Sequence, residues 1–284
     1  MQPKAIPSDM FGRFREIVSD PINLLIWRSP NAGQVTPDHF VHLHNGLRVP
    51  VSGENAYYGN FSLILTINRG VHEPLEEFVF QEVIKFLPEA PTMLELGAYW
   101  GHYSMWLKKA RPAASVRLVE PEMANLQVGF NNFSQNGLEG EFLQSFVGKG
   151  QFEVDEYMKK MDAHSINVLH CDIQGYELEM LEGARGTLSG QKVDYVFIST
   201  HSQELHAGVI GALKEYGYNI EVESDYALGS TSYDGLVFAS RPGVASVFNG
   251  FSPMQRVQLE GAQPADLVAY VTHVKNAMTK AGGV

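Results

Sequence analysis

Between residues 74 and 240 the apolar positions alternate between two rhythms. Short dense apolar runs occupy 93–96, 115–120, 141–147, 166–171 and 195–199 and read as buried strands. Between them apolar residues recur every three or four positions, over 103–110, 122–136, 154–161, 176–188 and 204–216, and read as amphipathic helices. A further helix is predicted over 74–86. Pro74 suits a first helical position, Glu76 and Glu77 suit the first turn, and Phe78, Val79, Val83, Ile84 and Phe86 make an apolar face. Strands that alternate with helices run parallel and place their crossovers on both faces of the sheet. The last two strands, 218–223 and 236–239, have no helix between them, so one of the pair must run antiparallel. The pattern predicts an α/β, Rossmann-like seven-stranded sheet, mostly parallel with one antiparallel strand and with helices on both faces.

The flanks divide the chain into an N-terminal extension over 1–60, the sheet domain over 61–243 and a C-terminal helical extension over 244–284. In the first, Phe11, Phe14, Ile17 and Val18 have helical spacing that Pro21 interrupts, and 40–51 alternates loosely enough for short strands. Tyr57, Tyr58 and Phe61 make its end aromatic, for packing on the side of the domain or for covering a pocket mouth. In the last, a helix is predicted over 264–278.

With 44% hydrophobic and 19% charged residues in 284, the chain can bury a sizeable core. A formal charge of −11 argues against a general nucleic-acid binder, which needs a basic face for phosphates. Cys171 is the sole cysteine, so neither a disulfide framework nor a multi-cysteine zinc site is available, and a reducing, cytoplasmic setting is expected. No apolar run is long enough for a membrane span, and residues 1–9 lack the apolar centre of a signal peptide.

Candidate chemistry concentrates at Met93-Leu-Glu-Leu-Gly-Ala-Tyr-Trp-Gly-His-Tyr103, a strand, a turn with two glycines and a helix start. Bare glycine backbone lets a ligand approach, and a helix start offers unpaired N–H groups. Its Glu-x-Gly-x-x-x-Gly spacing differs from the dinucleotide Gly-x-Gly-x-x-Gly. An acid before the first glycine, Glu95, suits a cofactor with a cationic amino-acid end, such as S-adenosylmethionine. Glu120 ends the second strand, before Pro121, where a carboxylate can accept both ribose hydroxyls. The predicted cofactor set is Glu95, Gly97, Ala98, Tyr99, Trp100, Gly101, Tyr103, Glu120, Pro121, Ser145 and Asp172, with Ser145 placed near the adenine by its position after the third strand. Trp106, His170 and Cys171 are assigned to packing. The rivals are an NAD-dependent enzyme, against which the missing third glycine and the terminal hairpin tell, and a non-catalytic module that keeps the fold.

Three stretches together resemble the FkbM family of S-adenosylmethionine-dependent O-methyltransferases: 93–104, the run Leu169-His-Cys-Asp-Ile-Gln-Gly-Tyr-Glu-Leu-Glu-Met-Leu-Glu-Gly-Ala184, and Tyr233-Asp-Gly-Leu-Val-Phe238. The likeness covers roughly 73–241. It implies methyl transfer to a hydroxyl on a small molecule, a sugar, a glycolipid or a natural-product scaffold. An alcohol needs a base, and Asp172 and His201, which end the fourth and fifth strands, are both candidates. Asp172 is alternatively the ligand of a divalent metal that acidifies the hydroxyl. The family usually carries Glu where this chain has Gln174, and often carries one near Ser199, so two carboxylates of a borrowed metal site are missing. Glu177 reads as a helix N-terminal acid. A small-molecule or glycan acceptor is the expected partner, and a homo-oligomer is left open.

Overall fold

The computed structural model describes residues 9–280. Apart from Asp9, the segment read for a signal peptide lies outside them, as do residues 281–284 of the C-terminal extension. The chain opens with helix α1 (Met10–Ser19), a 3-10 turn at Pro21–Leu24, and an antiparallel hairpin of β1 (Phe40–His42) and β2 (Arg48–Pro50). Short α2 (Leu63–Ile67) and then α3 (Pro74–Ile84) lead into the sheet. There follow β3 (Thr92–Leu96), α4 (His102–Ala110), β4 (Ser115–Glu120), α5 (Met123–Gln135), β5 (Glu141–Gln144), α6 (Val154–Lys160) and β6 (Ile166–Cys171). Next come α7 (Glu177–Gly183), α8 (Arg185–Ser189), β7 (Val193–Thr200), α9 (Gln203–Glu215), β8 (Asn219–Ser224) and β9 (Gly235–Ser240). The C-terminal part holds α10 (Arg256–Leu259) and α11 (Pro264–Ala277).

The seven-stranded sheet has the order β5-β4-β3-β6-β7-β9-β8. β9 runs antiparallel to both β7 and β8, and every other pairing is parallel, as the sequence pattern predicts. The chain builds outward from β3 to β5 and then returns to place β6 on the other side of β3. The switch in winding therefore falls between β3 and β6, where the helices diverge and leave a crevice beyond the strand ends. Glu95 pairs in register with His170 across this junction.

One face of the sheet buries Leu94, Leu169, Val196 and Val237 under α6 to α9. The other packs Phe78, Phe80, Tyr103, Phe197 and Phe238 with both extensions. Phe14, Ile17, Ile22, Val41 and Leu43 from the N-terminal extension, and Tyr270 and Val274 from α11, belong to this same buried cluster. Both extensions are thus structural parts of one core, and the aromatic end of the first reaches further, over the crevice.

Two predicted elements differ. The helix over 176–188 divides at Ala184, whose φ of −112° and ψ of 3° leave the helical range. The carboxylate of Asp155 takes the N–H groups of Gly186 and Thr187, at 2.8 and 2.7 Å, and so caps a new helix start. The third strand stops at Gln144, three residues early, where the Gln144 amide turns back to donate to the Pro121 carbonyl at 3.0 Å.

Asp20 ties the N-terminal extension to the loop before β9. One carboxylate oxygen accepts the Ile22 N–H at 2.9 Å and the other accepts the Thr231 hydroxyl at 2.7 Å. Burial pushes its pKa up from 3.8 to about 6, against the pull of those hydrogen bonds. A raised folded-state pKa gives stability that is present below the unfolded value and lost as pH rises through the folded one, here about 3 kcal/mol between pH 4 and 7. Asp20→Asn removes the charge and keeps an acceptor for Ile22. Its melting temperature relative to wild type is expected to climb between pH 4.5 and 7.5. A pH-independent difference in thermal melts contradicts this account.

Candidate active site

The loop from β3 to α4 is shaped by contacts that leave no room for side chains. Gly97 has φ +73°, and a Cβ there would lie 1.7 Å from the Asp172 carbonyl oxygen. Its N–H and that of Ala98 both donate to the Val119 carbonyl, at 2.9 and 3.1 Å. Gly101, at φ +75°, caps α4, with Phe133 and Leu118 packed where a side chain would stand. Tyr99 also takes a positive φ of 41°, held by its N–H to Glu120 at 3.1 Å.

Glu95 and Glu120 are 3% and 5% exposed, and both face one cavity of about 270 Å³ beyond the β3/β6 junction. Glu95 accepts the Ser104 N–H at 3.0 Å; burial raises its pKa, opposed by charge on His170 and by Ser104. Glu120 accepts from Tyr99, from the Glu122 N–H and from the Asn125 amide, each at 3.1 Å. A carboxylate offers about four lone-pair sites, so one remains for a ligand hydroxyl. Gly97, Ala98, Tyr99, Trp100, Tyr103, Pro121 and Asp172 also border the cavity.

Three predicted residues stand apart from it. Gly101 shapes the loop from behind. Ser145 turns its hydroxyl onto the Phe146 carbonyl at 2.9 Å, and the side chains at the cavity wall there are Phe146 and Val147. A one-residue offset past the strand end carries Ser145 to the wrong side. His201 sits behind Asp172.

His201 is also not the free base its intrinsic pKa suggests. Its Nε2 lies 3.1 Å from Asp172 and 3.2 Å from Asp234, and its Nδ1 lies 2.6 Å from Glu177. Burial disfavours its charge, but hydrogen bonds to Asp172 and Glu177 and the charge of Asp234 prevail and push its pKa up to about 11. At neutral pH it is an imidazolium that neutralises acids. Asp234 is pushed up to about 7 by burial and by Asp172, with His201 opposing. Asp172, His201 and Asp234 present ligand atoms within 4.8 Å of one another, so a divalent ion replacing the His201 proton would meet three donors.

Asp234 and Glu177 are the partners the sequence reading left without this role. Asp234 precedes β9, and an antiparallel strand begins at the edge where parallel strands end. The Asp-Gly before the last strand is the signal that topology turns into a site residue. Glu177 is a helix N-terminal acid, as its position suggests, but it is fully buried and its carboxylate also takes the Gly175 N–H at 2.9 Å. Glu76 of α3 reaches the Ser199 hydroxyl at 3.0 Å and His170 at 2.6 Å. A carboxylate thus stands beside Ser199 although the strand lacks one. His170 and Cys171 are buried as expected, though His170 also borders the cavity.

The cavity mouth is built by the N-terminal extension. Tyr57 and Tyr58 face it, and the Tyr58 N–H donates to the Tyr99 hydroxyl at 2.9 Å. The aromatic end of the extension therefore covers the pocket as well as packing on the domain.

Cavity, glycine loop and two acids on adjacent strand ends stand together at the switch point of a Rossmann-like sheet. Residues 100–220 match the family model described as the methyltransferase FkbM domain. The match starts at Trp100 and stops at Ile220, inside the 73–241 stretch suggested by the motifs. No curated protein matches the chain. Among solved structures it is similar to an FkbM methyltransferase from Methylobacillus flagellatus KT, with 20% identity, 53% of this chain and 44% of that one covered, and a TM-score of 0.39. It is also similar to the precorrin-6y C5,15-methyltransferase of Geobacter metallireducens GS-15, at 12% identity over 58% of this chain and 88% of that one, TM-score 0.43. Another is TrmK of M. capricolum bound to S-adenosyl-homocysteine, at 13% identity over 69% and 82%, TM-score 0.41.

Proposed function

We propose that the protein is an S-adenosylmethionine-dependent methyltransferase acting on a hydroxyl of a small acceptor, such as a sugar, a glycolipid or a natural-product scaffold, and that Asp172 receives the hydroxyl proton. The observation that carries this reading is the placement of Glu95, Glu120 and Asp172 on the wall of one cavity, with His201 behind Asp172. S-adenosylmethionine supplies an electrophilic methyl group. Glu95 would hold its ammonium end and Glu120 a ribose hydroxyl, with Asp172 on the same cavity wall. Asp172 would take the acceptor hydroxyl's proton as that oxygen accepts the methyl group. His201, held by Glu177 and Asp234, keeps Asp172 oriented. Glu73, Asp172 and Glu120 around the cavity disfavour a polyphosphate acceptor. The single, buried Cys171 fits a reducing, cytoplasmic setting.

Calorimetry with S-adenosylhomocysteine tests the cofactor half. Wild type is expected to bind, and Glu120→Ala to bind about 10–100-fold more weakly, as loss of charge-assisted hydrogen bonds implies. Wild-type protein showing no heat up to about 1 mM ligand refutes the placement of the cofactor. A Glu120→Ala protein of unchanged affinity refutes the role of that carboxylate.

A further inference from the structure

A second cluster lies beneath the cavity floor, where three separate elements meet. His44 comes from the turn between β1 and β2, Glu77 from the first turn of α3, and His102 is the first residue of α4. The hairpin turn is locked down: the His44 N–H donates to the Gly70 carbonyl at 3.1 Å, and Gly70 leaves no room for a Cβ, which would lie 2.1 Å from the His44 nitrogen. All three side chains are at most 1% exposed.

Their polar atoms are poorly matched with one another. Glu77 Oε1 is fully used, by the His72 and Glu73 N–H groups at 2.7 and 2.9 Å and by the His72 ring at 2.7 Å. Glu77 Oε2 meets His44 Nε2 at 2.8 Å, and neither ring nitrogen of His102 has a hydrogen-bond partner. A fully buried imidazole with two unpartnered nitrogens is an arrangement proteins normally avoid.

A cation in place of the proton between His44 and Glu77 would also give the His102 ring a partner. The His44 Nδ1 lies 3.2 Å from the Trp27 carbonyl, which can only accept. That contact keeps a proton on Nδ1, so a cation that displaced the proton between Nε2 and Glu77 would meet the Nε2 lone pair, with Nδ1 donating outward as in a metal-bound histidine. His44 Nε2 lies 2.8 Å from Glu77 Oε2, and His102 Nε2 lies 3.8 Å from the same oxygen. All three atoms fall within 4.8 Å of one another. Donors about 2.05 Å from a tetrahedral zinc stand about 3.3 Å apart, between the two measured separations. Two imidazoles and one carboxylate suit zinc and its transition-metal neighbours; magnesium and calcium prefer all-oxygen shells.

We infer that His44, Glu77 and His102 form a buried zinc site, separate from the Asp172 cluster, that clamps the N-terminal hairpin to the sheet domain. His72, on the second oxygen of Glu77, fixes the carboxylate. Trp100 stacks on the His102 ring at 4.9 Å and 11°, and Trp106 meets the His44 ring at 4.4 Å, so aromatic rings pack on both histidines.

The inference does not depend on the methyl acceptor, and its test reads metal directly. Full-length protein is stripped with a chelator, titrated with zinc, and assayed for bound metal by elemental analysis. About one tightly held zinc per chain is expected, together with a rise in melting temperature on reloading. Cobalt in its place should give the intense visible d–d bands of a four-coordinate site. His102→Gln and His44→Gln are expected to lose the metal, and Asp172→Asn to keep it. Fewer than about 0.1 zinc per chain in folded wild type overturns the inference. So does metal retained by both histidine variants, or metal lost from Asp172→Asn alone.

Discussion

Asp172→Asn is expected to lower kcat for methyl transfer by about 10²–10⁴, the range general-base catalysis supplies, with S-adenosylhomocysteine affinity changed less than about threefold. The substitution keeps the shape of the side chain and its hydrogen bond with Gln174, found at 3.0 Å, while removing its basicity. It also removes one of three acids around His201, so it should not lower the melting temperature. That separates lost chemistry from a damaged fold. Glu177 and Asp234 remain to balance the imidazolium, and the Asp172 backbone, whose carbonyl packs on Gly97, is untouched. The measurement is single-turnover methyl transfer to whichever acceptor a labelled methyl-donor screen identifies. A variant that keeps wild-type kcat moves the base to Asp234, whose pKa near 7 makes it the next candidate.

The sheet was legible because dense apolar runs end in acids at the edge where parallel strands finish. The bounds of β4 and β6 coincide with those read from the pattern, and Glu95, Glu120 and Asp172 follow from them. What stayed hidden depends on residues far apart in the chain. The break between α7 and α8 is imposed by Asp155, thirty-one residues before Gly186, and no local signal at 184 announces it. Asp234 enters the cluster only because β9 runs backwards, and Glu76 stands at Ser199 from a separation of 123 residues. His201 looked like a base because its intrinsic pKa lies near neutrality. Three carboxylates from three different segments reverse that, and only their convergence in space makes it visible. For the N-terminal extension the sequence leaves two readings open, and Tyr57 and Tyr58 fulfil both, packing on the domain and standing at the cavity mouth.

Gly97→Ala should be the most damaging small substitution in the chain. Two independent obstacles coincide there. A positive φ of 73° costs an L-residue about 1–2 kcal/mol, and the added methyl would overlap the Asp172 carbonyl at 1.7 Å. The obstructing atom is backbone at the end of β6, so relief requires the carboxyl ends of β3 and β6 to part. Parting them opens the Val119 hydrogen bonds of Gly97 and Ala98 and shifts Glu95 and Asp172 relative to Glu120. The expected result is a loss of about 3 kcal/mol or more, with a fall in melting temperature of about 6–12 °C. Affinity for S-adenosylhomocysteine should drop by more than about 100-fold. Gly211→Ala is the matched control: it lies inside α9 with no atom within 4 Å of the new Cβ, and should be neutral or slightly stabilising. Melts and calorimetry on both proteins check this pair. If Gly97→Ala behaves like Gly211→Ala, β3 and β6 do not approach as closely as the cofactor loop requires, and the cavity between Glu95 and Glu120 has a different floor.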